Sequence, residues 1–228
     1  MQFWGDIVLN HPELIDKLPS NVIALIWGYE ADHPFEDQCP RFVESGIPFY
    51  VCPGTSSWNS VTGRADNALA NLWNAAEAGL STGAVGFLNT DWGDNGHWQH
   101  LPISFLGFAC GAAVSWSGHR NRDLDLDAAL DVHAFYDAAG VMGRLAHDLG
   151  NAYKLPGVLK PNGSVLAELL LRPDDAGSAA ELTVLDRYMK AGGTVVLAVG
   201  WEDRSGAASL LDRVGLEIAG RPLGRARG

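Results

Sequence analysis

Aromatic side chains stand beside acidic, amide or hydroxyl side chains at four places in the first hundred residues. An indole ring can cover the apolar C–H face of a sugar, while carboxylates and amides bind its hydroxyl groups. This combination predicts a carbohydrate-binding site, although any single Trp is more often a core residue. The four groups are Trp4 with Asp6; Trp27 with Tyr29 and Glu30; Trp58 with Thr55, Ser56 and Asn59; and Trp92 with Asp91, Asp94 and His97.

Each group overlaps or follows a short, almost continuously apolar run, which is typical of strands buried on both faces of a parallel sheet. Strands that alternate with helices predict βαβ units. Four units form either half of a (β/α)₈ barrel or a small open α/β sheet, and both folds place function at the carboxyl ends of the strands. The apolar runs cover residues 3–9, 22–27, 47–52 and 84–89, and helical patterns cover 12–18, 34–45 and 63–79.

The part of the chain after the fourth run is predicted to be mainly helical. An apolar stretch at 101–116 predicts a packed helix, and 123–155 predicts the longest helix, with three Asp residues at its start. We expect Gly79 to end the helix that precedes the fourth strand. These patterns divide the chain into a barrel-like part (1–120), a helical segment (121–171) and a short αβ tail (172–228).

Two of the strand-end segments resemble a known family. Phe3-Trp4-Gly5-Asp6-Ile7 is similar to a strand segment of glycoside hydrolase family 20. Thr90-Asp91-Trp92-Gly93-Asp94-Asn95-Gly96-His97 resembles the last-strand motif of that family, a Trp and a carboxylate two residues apart. The resemblance also takes in 22–30 and 52–59 and continues to about residue 171.

The resemblance implies an α/β fold, with the last four βα units of a (β/α)₈ barrel followed by a helical segment. It implies an exo-β-N-acetylhexosaminidase, a hydrolase in which the acetamide of the substrate itself attacks the anomeric carbon. Trp4, Trp27 and Trp92 would wall the pocket for a terminal N-acetylhexosamine, and Asp94 would hold ring hydroxyls. The whole set of expected substrate-binding residues is Trp4, Trp27, Glu30, Trp58, Asn59, Asp91, Trp92 and Asp94.

The chain departs from the family at two functional positions. Residues 52–59 lack the family's Tyr-x-Asp, so Trp58 or Asn59 is the candidate replacement. The catalytic Asp-Glu pair is also missing from the barrel part, and we expect it upstream of Met1. The catalytic residues are therefore unknown, and we expect this chain to be a fragment that is inactive alone. A catalytic pair made by Glu30 and Asp94 is less favoured than hydroxyl binding by each of them.

Two alternatives stay open. One is a non-catalytic carbohydrate-binding or structural module. The other is an unrelated small α/β protein of the amidotransferase type, because residues 191–205 are similar to a strand and loop of glutamine-amidotransferase-like domains, without their nucleophilic Cys.

Composition and net charge restrict the classes of partner that the chain is expected to bind. A formal net charge of −11 argues against nucleic acid, and we expect no membrane span because no run of about 18 apolar residues is present. Three cysteines without a CxxC motif favour reduced thiols and a cytoplasmic protein. We expect no metal and no cofactor, an N-acetylhexosamine-containing glycan as the partner, and self-association through open barrel edges. The sequon Asn162-Gly163-Ser164 is predicted to be a turn.

Overall fold

The computed structural model describes residues 1–171, 189–190 and 192. Its centre is a four-stranded parallel sheet in which each strand pairs with the next along the chain, in the order β1-β2-β3-β4. The prediction of an α/β fold with four parallel strands is confirmed. The strands are β1 (Gln2–Trp4), β2 (Ile23–Trp27), β3 (Phe49–Cys52) and β4 (Gly86–Phe87).

Helices connect the strands and continue after them. Short 3₁₀ turns precede β2 at Pro12–Lys17, follow β4 at Asp94–Gly96 and Leu101–Ser104, and recur at Gly118–Arg120 and Ala152–Lys154. The α-helices are α1 (Asp6–Asn10), α2 (Phe35–Ser45), α3 (Ala65–Thr82), α4 (Phe105–Ser117), α5 (Leu126–Leu130), α6 (Met142–Gly150) and α7 (Val165–Leu171).

The main core lies between the sheet and helices α2 and α3. Phe3, Ala24 and Phe49 share one register row across three strands, and their side chains join the same apolar cluster as Phe42 of α2 and Ala75 of α3. Burial of a large apolar side chain such as Phe42, which is fully buried, contributes about 2 kcal/mol to stability. The helices that follow β2 and β3 therefore cover the same face of the sheet.

The opposite face of the sheet carries a different row. Trp4 is in register with Leu25, Leu25 with Tyr50, and Tyr50 with Gly86. A side chain at Gly86 would collide with the ring of Tyr50, which lies over this glycine. Trp4 is 40% exposed at the edge of the row, so this face is less completely covered than the helix-bearing face.

The first predicted strand, 3–9, is wrong after Trp4, where β1 ends. The Gly5 amide still donates to the carbonyl of Leu25, but the Leu9 amide then bonds back to the Gly5 carbonyl, so the chain turns into α1. The helix end predicted at Gly79 is also wrong, since α3 continues to Thr82 and ends at the left-handed Gly83. Gly79 is instead a packing position, where an added Cβ would lie 2.9 Å from Val51.

The long helix predicted over 123–155 is broken. Asp125 caps α5 by accepting a hydrogen bond from the amide of Ala128, as its place at a helix start indicated. A π-helical turn at Asp131–Phe135 follows, and the chain reverses through the left-handed Tyr136 and Gly140. The Asp137 carboxylate accepts three backbone amides between residues 139 and 142, which starts α6 afresh.

Helix α4 and the turns around it are notably apolar. Residues Leu101–Arg120 are long and apolar enough to cross a membrane by length and composition alone, with 39% of the stretch buried within the chain. A core helix of a soluble protein meets the same criteria, and Leu106, Cys110 and Val114 of α4 are buried. The expectation that the chain has no membrane span therefore stays a prediction.

Candidate functional site

Three of the predicted aromatic residues converge at the carboxyl edge of the sheet. The ring centroids of Trp4 and Trp92 are 5.6 Å apart. Trp27 stacks on Tyr29 at 5.1 Å with an interplanar angle of 24°, and Tyr29 contacts Trp92 edge-on at 6.5 Å. The first, second and fourth strand ends therefore contribute to one continuous cluster of rings, as expected for neighbouring parallel strands.

Tyr29 is the centre of this cluster; the sequence grouped it with Trp27 and Glu30 but did not place it among the expected substrate-binding residues. Its hydroxyl oxygen accepts a hydrogen bond of 2.8 Å from the indole nitrogen of Trp92. Burial raises the pKa of Tyr29 to about 12, so the phenol stays protonated at neutral pH. The spacing Trp27-x-Tyr29 was the sequence signal that the two rings could lie together, as they do in the stack.

Trp92 is fixed from three directions. Besides Tyr29, its indole nitrogen lies 3.2 Å from the hydroxyl of Thr90, which donates to the carbonyl of Pro53 at 2.9 Å. The backbone carbonyl of Trp92 accepts a hydrogen bond of 2.8 Å from the side chain of Gln99. The half-buried ring is thus held in one orientation before any ligand arrives, which lowers the entropy cost of binding.

Trp58 lies beneath the cluster and not at its surface. The ring is 1% exposed, contacts Tyr29 edge-on at 4.9 Å, and donates through its indole nitrogen to the Asn162 side chain at 2.8 Å. It therefore supports Tyr29 and has no exposed face for the substrate contact predicted from the sequence. Gly54 makes room for this packing, because a Cβ there would lie 2.5 Å from Trp58.

Glu30 forms an ion pair with a buried arginine. Its two oxygens accept hydrogen bonds of 2.9 and 3.1 Å from the guanidinium of Arg64, whose side chain is 2% exposed. A third hydrogen bond, 2.6 Å long, comes from the backbone amide of Asn162. The role of Glu30 that the structure displays is neutralising a buried cation.

Asp91 is surrounded by hydroxyl groups of the protein. It accepts hydrogen bonds from Ser57 at 2.6 Å, from Ser104 at 3.0 and 3.1 Å, and from Thr55. These donors come from the loop after β3 and from the turn that leads into α4. Asp91 therefore joins these two segments, and its hydrogen-bonding capacity is largely used within the chain.

Asp94 and Asn59 form the exposed polar side of the site. Asn59 donates weakly to Asp94 at 3.5 Å and more strongly to the backbone carbonyl of Asn162 at 3.1 Å, while Asn95 donates to its side-chain oxygen at 2.8 Å. The carboxylate of Asp94 is exposed and accepts only that one long hydrogen bond from the described residues. Asp6 is half-buried and accepts from the indole nitrogen of Trp27 at 3.1 Å.

Three asparagines of α3 position the loops of the site, and the sequence interpretation missed them. Asn67 donates to the backbone carbonyl of Tyr29 at 2.7 Å, and the fully buried Asn71 donates to the carbonyls of Gly28 and Glu30. Asn74 donates to the carbonyls of Ala31 and His33. Their spacing of four and three residues puts them on one helix face, and this was a readable signal.

The sequon residue Asn162 is a structural residue here. Its side chain accepts a hydrogen bond from the indole nitrogen of Trp58. Its backbone is left-handed, with φ of 55°, and it belongs to the turn that is closed by the antiparallel bridge between Lys160 and Gly163. The turn predicted at this position is confirmed. Through it the segment after α6 contacts the strand-end loops directly, since the Ser164 amide also donates to the Asn59 carbonyl at 2.9 Å.

The remaining sequence predictions concern metals and the tail. Among the described residues, no group of three or more His, Cys, Asp or Glu side chains is arranged to hold a metal ion. The αβ tail predicted at 172–228, which includes the amidotransferase-like segment 191–205, lies outside the described residues, apart from positions 189, 190 and 192. No protein-family model matches this chain, and no curated protein matches it.

Proposed function

We propose that this chain forms one wall of the substrate pocket of a β-N-acetylhexosaminidase-like glycoside hydrolase and binds a terminal N-acetylhexosamine. The observation that carries this proposal is the pairing of Trp4 with Trp92 and of Trp27 with Tyr29 at the carboxyl edge of one parallel sheet. Rigid aromatic faces beside an exposed carboxylate, here Asp94, have the composition that a pyranose ring requires.

The strand order supports a barrel. In a doubly wound sheet the order reverses at a switch point, whereas in a (β/α)₈ barrel each strand pairs with the next. The order here is consecutive throughout, and α2 and α3 cover the same face. The row of Trp4, Leu25 and Tyr50 on the other face would then belong to the barrel interior. We therefore assign the four units to the last half of such a barrel.

The contacts of the carboxylates support a pocket wall that does not contain the catalytic acid. Glu30 is paired with Arg64, and Asp91 is bound by three hydroxyl groups. Asp94 is the carboxylate best placed to bind sugar hydroxyls. Glycoside hydrolysis needs a proton donor besides a group that stabilises the oxocarbenium-like transition state. In this proposal that donor comes from outside residues 1–171.

The test is a binding measurement paired with a hydrolysis assay. We expect N-acetylglucosamine to change the tryptophan fluorescence of the full chain saturably, and glucose, which lacks the acetamido group, to bind more weakly. Trp92→Ala should abolish the response, and Trp116→Ala, which removes an 88% exposed indole on α4, should keep it. We expect no release of nitrophenol from p-nitrophenyl N-acetyl-β-glucosaminide. Steady turnover, or no response to either sugar, would contradict the proposal.

A non-catalytic carbohydrate-binding module is the second candidate. The observation that favours it is that Glu30 and Asp91 are both neutralised or bound within the chain. A pocket wall of the proposed enzyme should depend on the acetamido group, because that group is the nucleophile in the substrate-assisted reaction. Equal affinity for glucose and N-acetylglucosamine would therefore favour the binding module.

A further inference from the structure

Helix α4 exposes a stripe of uncharged side chains. The α4 stripe consists of Phe108, Ala112, Ser115 and Trp116, which are all exposed and lie three or four residues apart, so they share one face of the helix. Trp116 is 88% exposed and Phe108 is 37% exposed. Because the other face of α4 is buried in the core, the stripe is presented to solvent by an element that is fixed in place.

A groove lies beside this stripe, between α4 and the segment made by α5 and the π-helical turn that follows it. Its volume is about 660 Å³, and both Phe108 and Trp116 contribute to its lining. Small and apolar side chains form most of the rest, among them Ala109, Ala113 and Leu130. None of the described residues that line the groove is Asp, Glu, Lys or Arg. The groove is therefore suited to an apolar occupant.

The distribution of charge favours a second copy of this chain as that occupant. The chain has a formal net charge of −11, so most of its surface repels another copy, and it also repels an anionic lipid surface. Residues 101–118 contain no Asp, Glu, Lys or Arg. Arg122, which follows the helix, is already paired with Glu77. Two copies that meet through α4 therefore bring no fixed charges of this helix against each other.

The shape of the surface suits two-fold symmetry. In an isologous dimer the same patch of each copy meets, so a projecting side chain and the recess that receives it must lie on one face. Trp116 and the groove meet this condition, and a groove of this volume is large enough for an indole ring. Ala109, Ala112 and Ala113 have small side chains, which allow a second helix to approach α4 closely.

The exposed area indicates a weak dimer. At about 200 Å² for a whole large side chain, Trp116, Phe108 and Leu124 of the groove together expose roughly 350 Å² of apolar surface. The largest apolar patch on a monomer measures about 300–600 Å² and is often functional. A standard interface takes about 800 Å² from each partner, somewhat more than half of it apolar. We therefore expect an interface at the small end of the range and a dissociation constant in the micromolar range.

We propose that α4 is the contact surface of a two-fold homodimer in which Trp116 of each copy fills the groove of the other. The inference does not depend on the proposed function, because none of these residues belongs to the candidate sugar site. It also differs from self-association through open sheet edges, since side chains of a helix, and not the unpaired backbone of a strand, make the contact.

The experiment is analytical ultracentrifugation of the full chain over about 1–300 μM, a range that covers weak interfaces. We expect a reversible equilibrium between monomer and dimer that strengthens several-fold from about 0.05 to 0.5 M NaCl, because salt screens the repulsion between two acidic chains. Trp116→Glu should raise the dissociation constant at least about tenfold, since a buried Trp carries much of the binding energy at an interface. Leu80→Glu, which places the same charge at a 78% exposed apolar position on α3, is the matched control and should leave the equilibrium unchanged.

A cross-link locates the interface. All three native cysteines are buried, so Ala112→Cys introduces the accessible thiol. Close to a two-fold axis this thiol lies beside its counterpart, and mild oxidation should give a disulfide-linked dimer, whereas Leu80→Cys should stay monomeric. A chain that is monomeric at every concentration, or a dimer that Trp116→Glu leaves intact, would overturn the proposal. A monomer that binds phosphatidylcholine vesicles through Trp116 would assign this face to a lipid surface instead.

Discussion

The indole nitrogen of Trp92 donates a hydrogen bond of 2.8 Å to the phenolic oxygen of Tyr29, 63 residues earlier in the chain. This bond links the end of the second strand to the loop after the fourth. It fixes the angle of Trp92 relative to the Trp27–Tyr29 stack. The orientation of Trp92 in the aromatic cluster therefore depends in part on the hydroxyl group of Tyr29, together with Thr90 and Gln99.

Tyr29→Phe should weaken this arrangement without removing the ring stack. We expect a loss of about 1 kcal/mol in the free energy of unfolding, because one partly buried hydrogen bond is removed. Affinity for N-acetylglucosamine should fall several-fold as Trp92 becomes free to tilt. Chemical denaturation and calorimetric titration measure the two effects. Tyr50→Phe, on the sheet face over Gly86, is the matched control and should change neither.

Glu30→Gln should destabilise the chain strongly. The buried guanidinium of Arg64 would lose its opposite charge, and we expect the free energy of unfolding to fall by about 3 kcal/mol. The control is Glu77→Gln, which breaks the ion pair of Glu77 with Arg122, where both side chains are more than half exposed. That change should cost less than about 1 kcal/mol. If urea denaturation shows that both variants lose the same free energy of unfolding, the buried Glu30–Arg64 pair stabilises the fold no more than the exposed pair does.

Gly54→Ala should disturb the aromatic cluster from below. The new methyl group would lie 2.5 Å from Trp58 and 3.0 Å from Tyr29, so the rings must move. Overpacking of this kind costs about 1–3 kcal/mol. Near-ultraviolet circular dichroism should show the altered rings. Gly118→Ala is the matched control, because the added Cβ would lie 3.5 Å from Trp73, an ordinary contact distance, and the backbone of Gly118 is right-handed helical.

Alkaline pH should destabilise the fold through its buried thiols. Burial raises the pKa of Cys39 to about 11 and the pKa values of Cys52 and Cys110 to about 12. A thiol in the unfolded chain ionises near its ordinary pKa of 9. Above pH 9 the unfolded state therefore releases a proton that the folded state retains, and this favours unfolding. The stabilising contribution is therefore complete below about pH 9 and is lost as pH rises through 11 to 12.

The expected slope is about 1.4 kcal/mol per pH unit for each thiol between these limits. Thermal unfolding measured from pH 7 to pH 10.5 checks this. Cys110→Ala removes one of the three groups and should flatten the decline. If the stability of Cys110→Ala falls with pH as steeply as that of the wild type, the Cys110 thiol does not cause the loss of stability at alkaline pH.

Local patterns were sufficient for the strands and for the convergence of the tryptophans. Continuous apolar runs indicated strands buried on both faces, and parallel strands bring their carboxyl ends to one edge. Trp4, Trp27 and Trp92 could therefore be placed near one another before any coordinates. The length of the first strand could not be predicted, because its end depends on the turn at Gly5 and on the hydrogen bond from the Gly5 amide to the carbonyl of Leu25.

The helical segment shows why periodicity alone misled. Residues 123–155 have an apolar face suited to one long helix, but Asp137 binds the amides that start α6. Gly143 lets α6 pack against the backbone of Asp127, where an added Cβ would lie 2.0 Å from the Asp127 carbonyl oxygen. Side-chain capping and close packing thus outweighed the helical period.

The sequence by itself determined which residues reach the edge of the sheet, because strand direction and side-chain alternation are local properties. Only the tertiary structure decided what each polar or aromatic group does there. Glu30 is neutralised by Arg64, 34 residues later, and Trp58 is buried against Asn162, 104 residues later. Burial and hydrogen-bond partners come from segments far apart in the chain, so a residue's type and spacing cannot reveal whether it faces a ligand or another part of the protein.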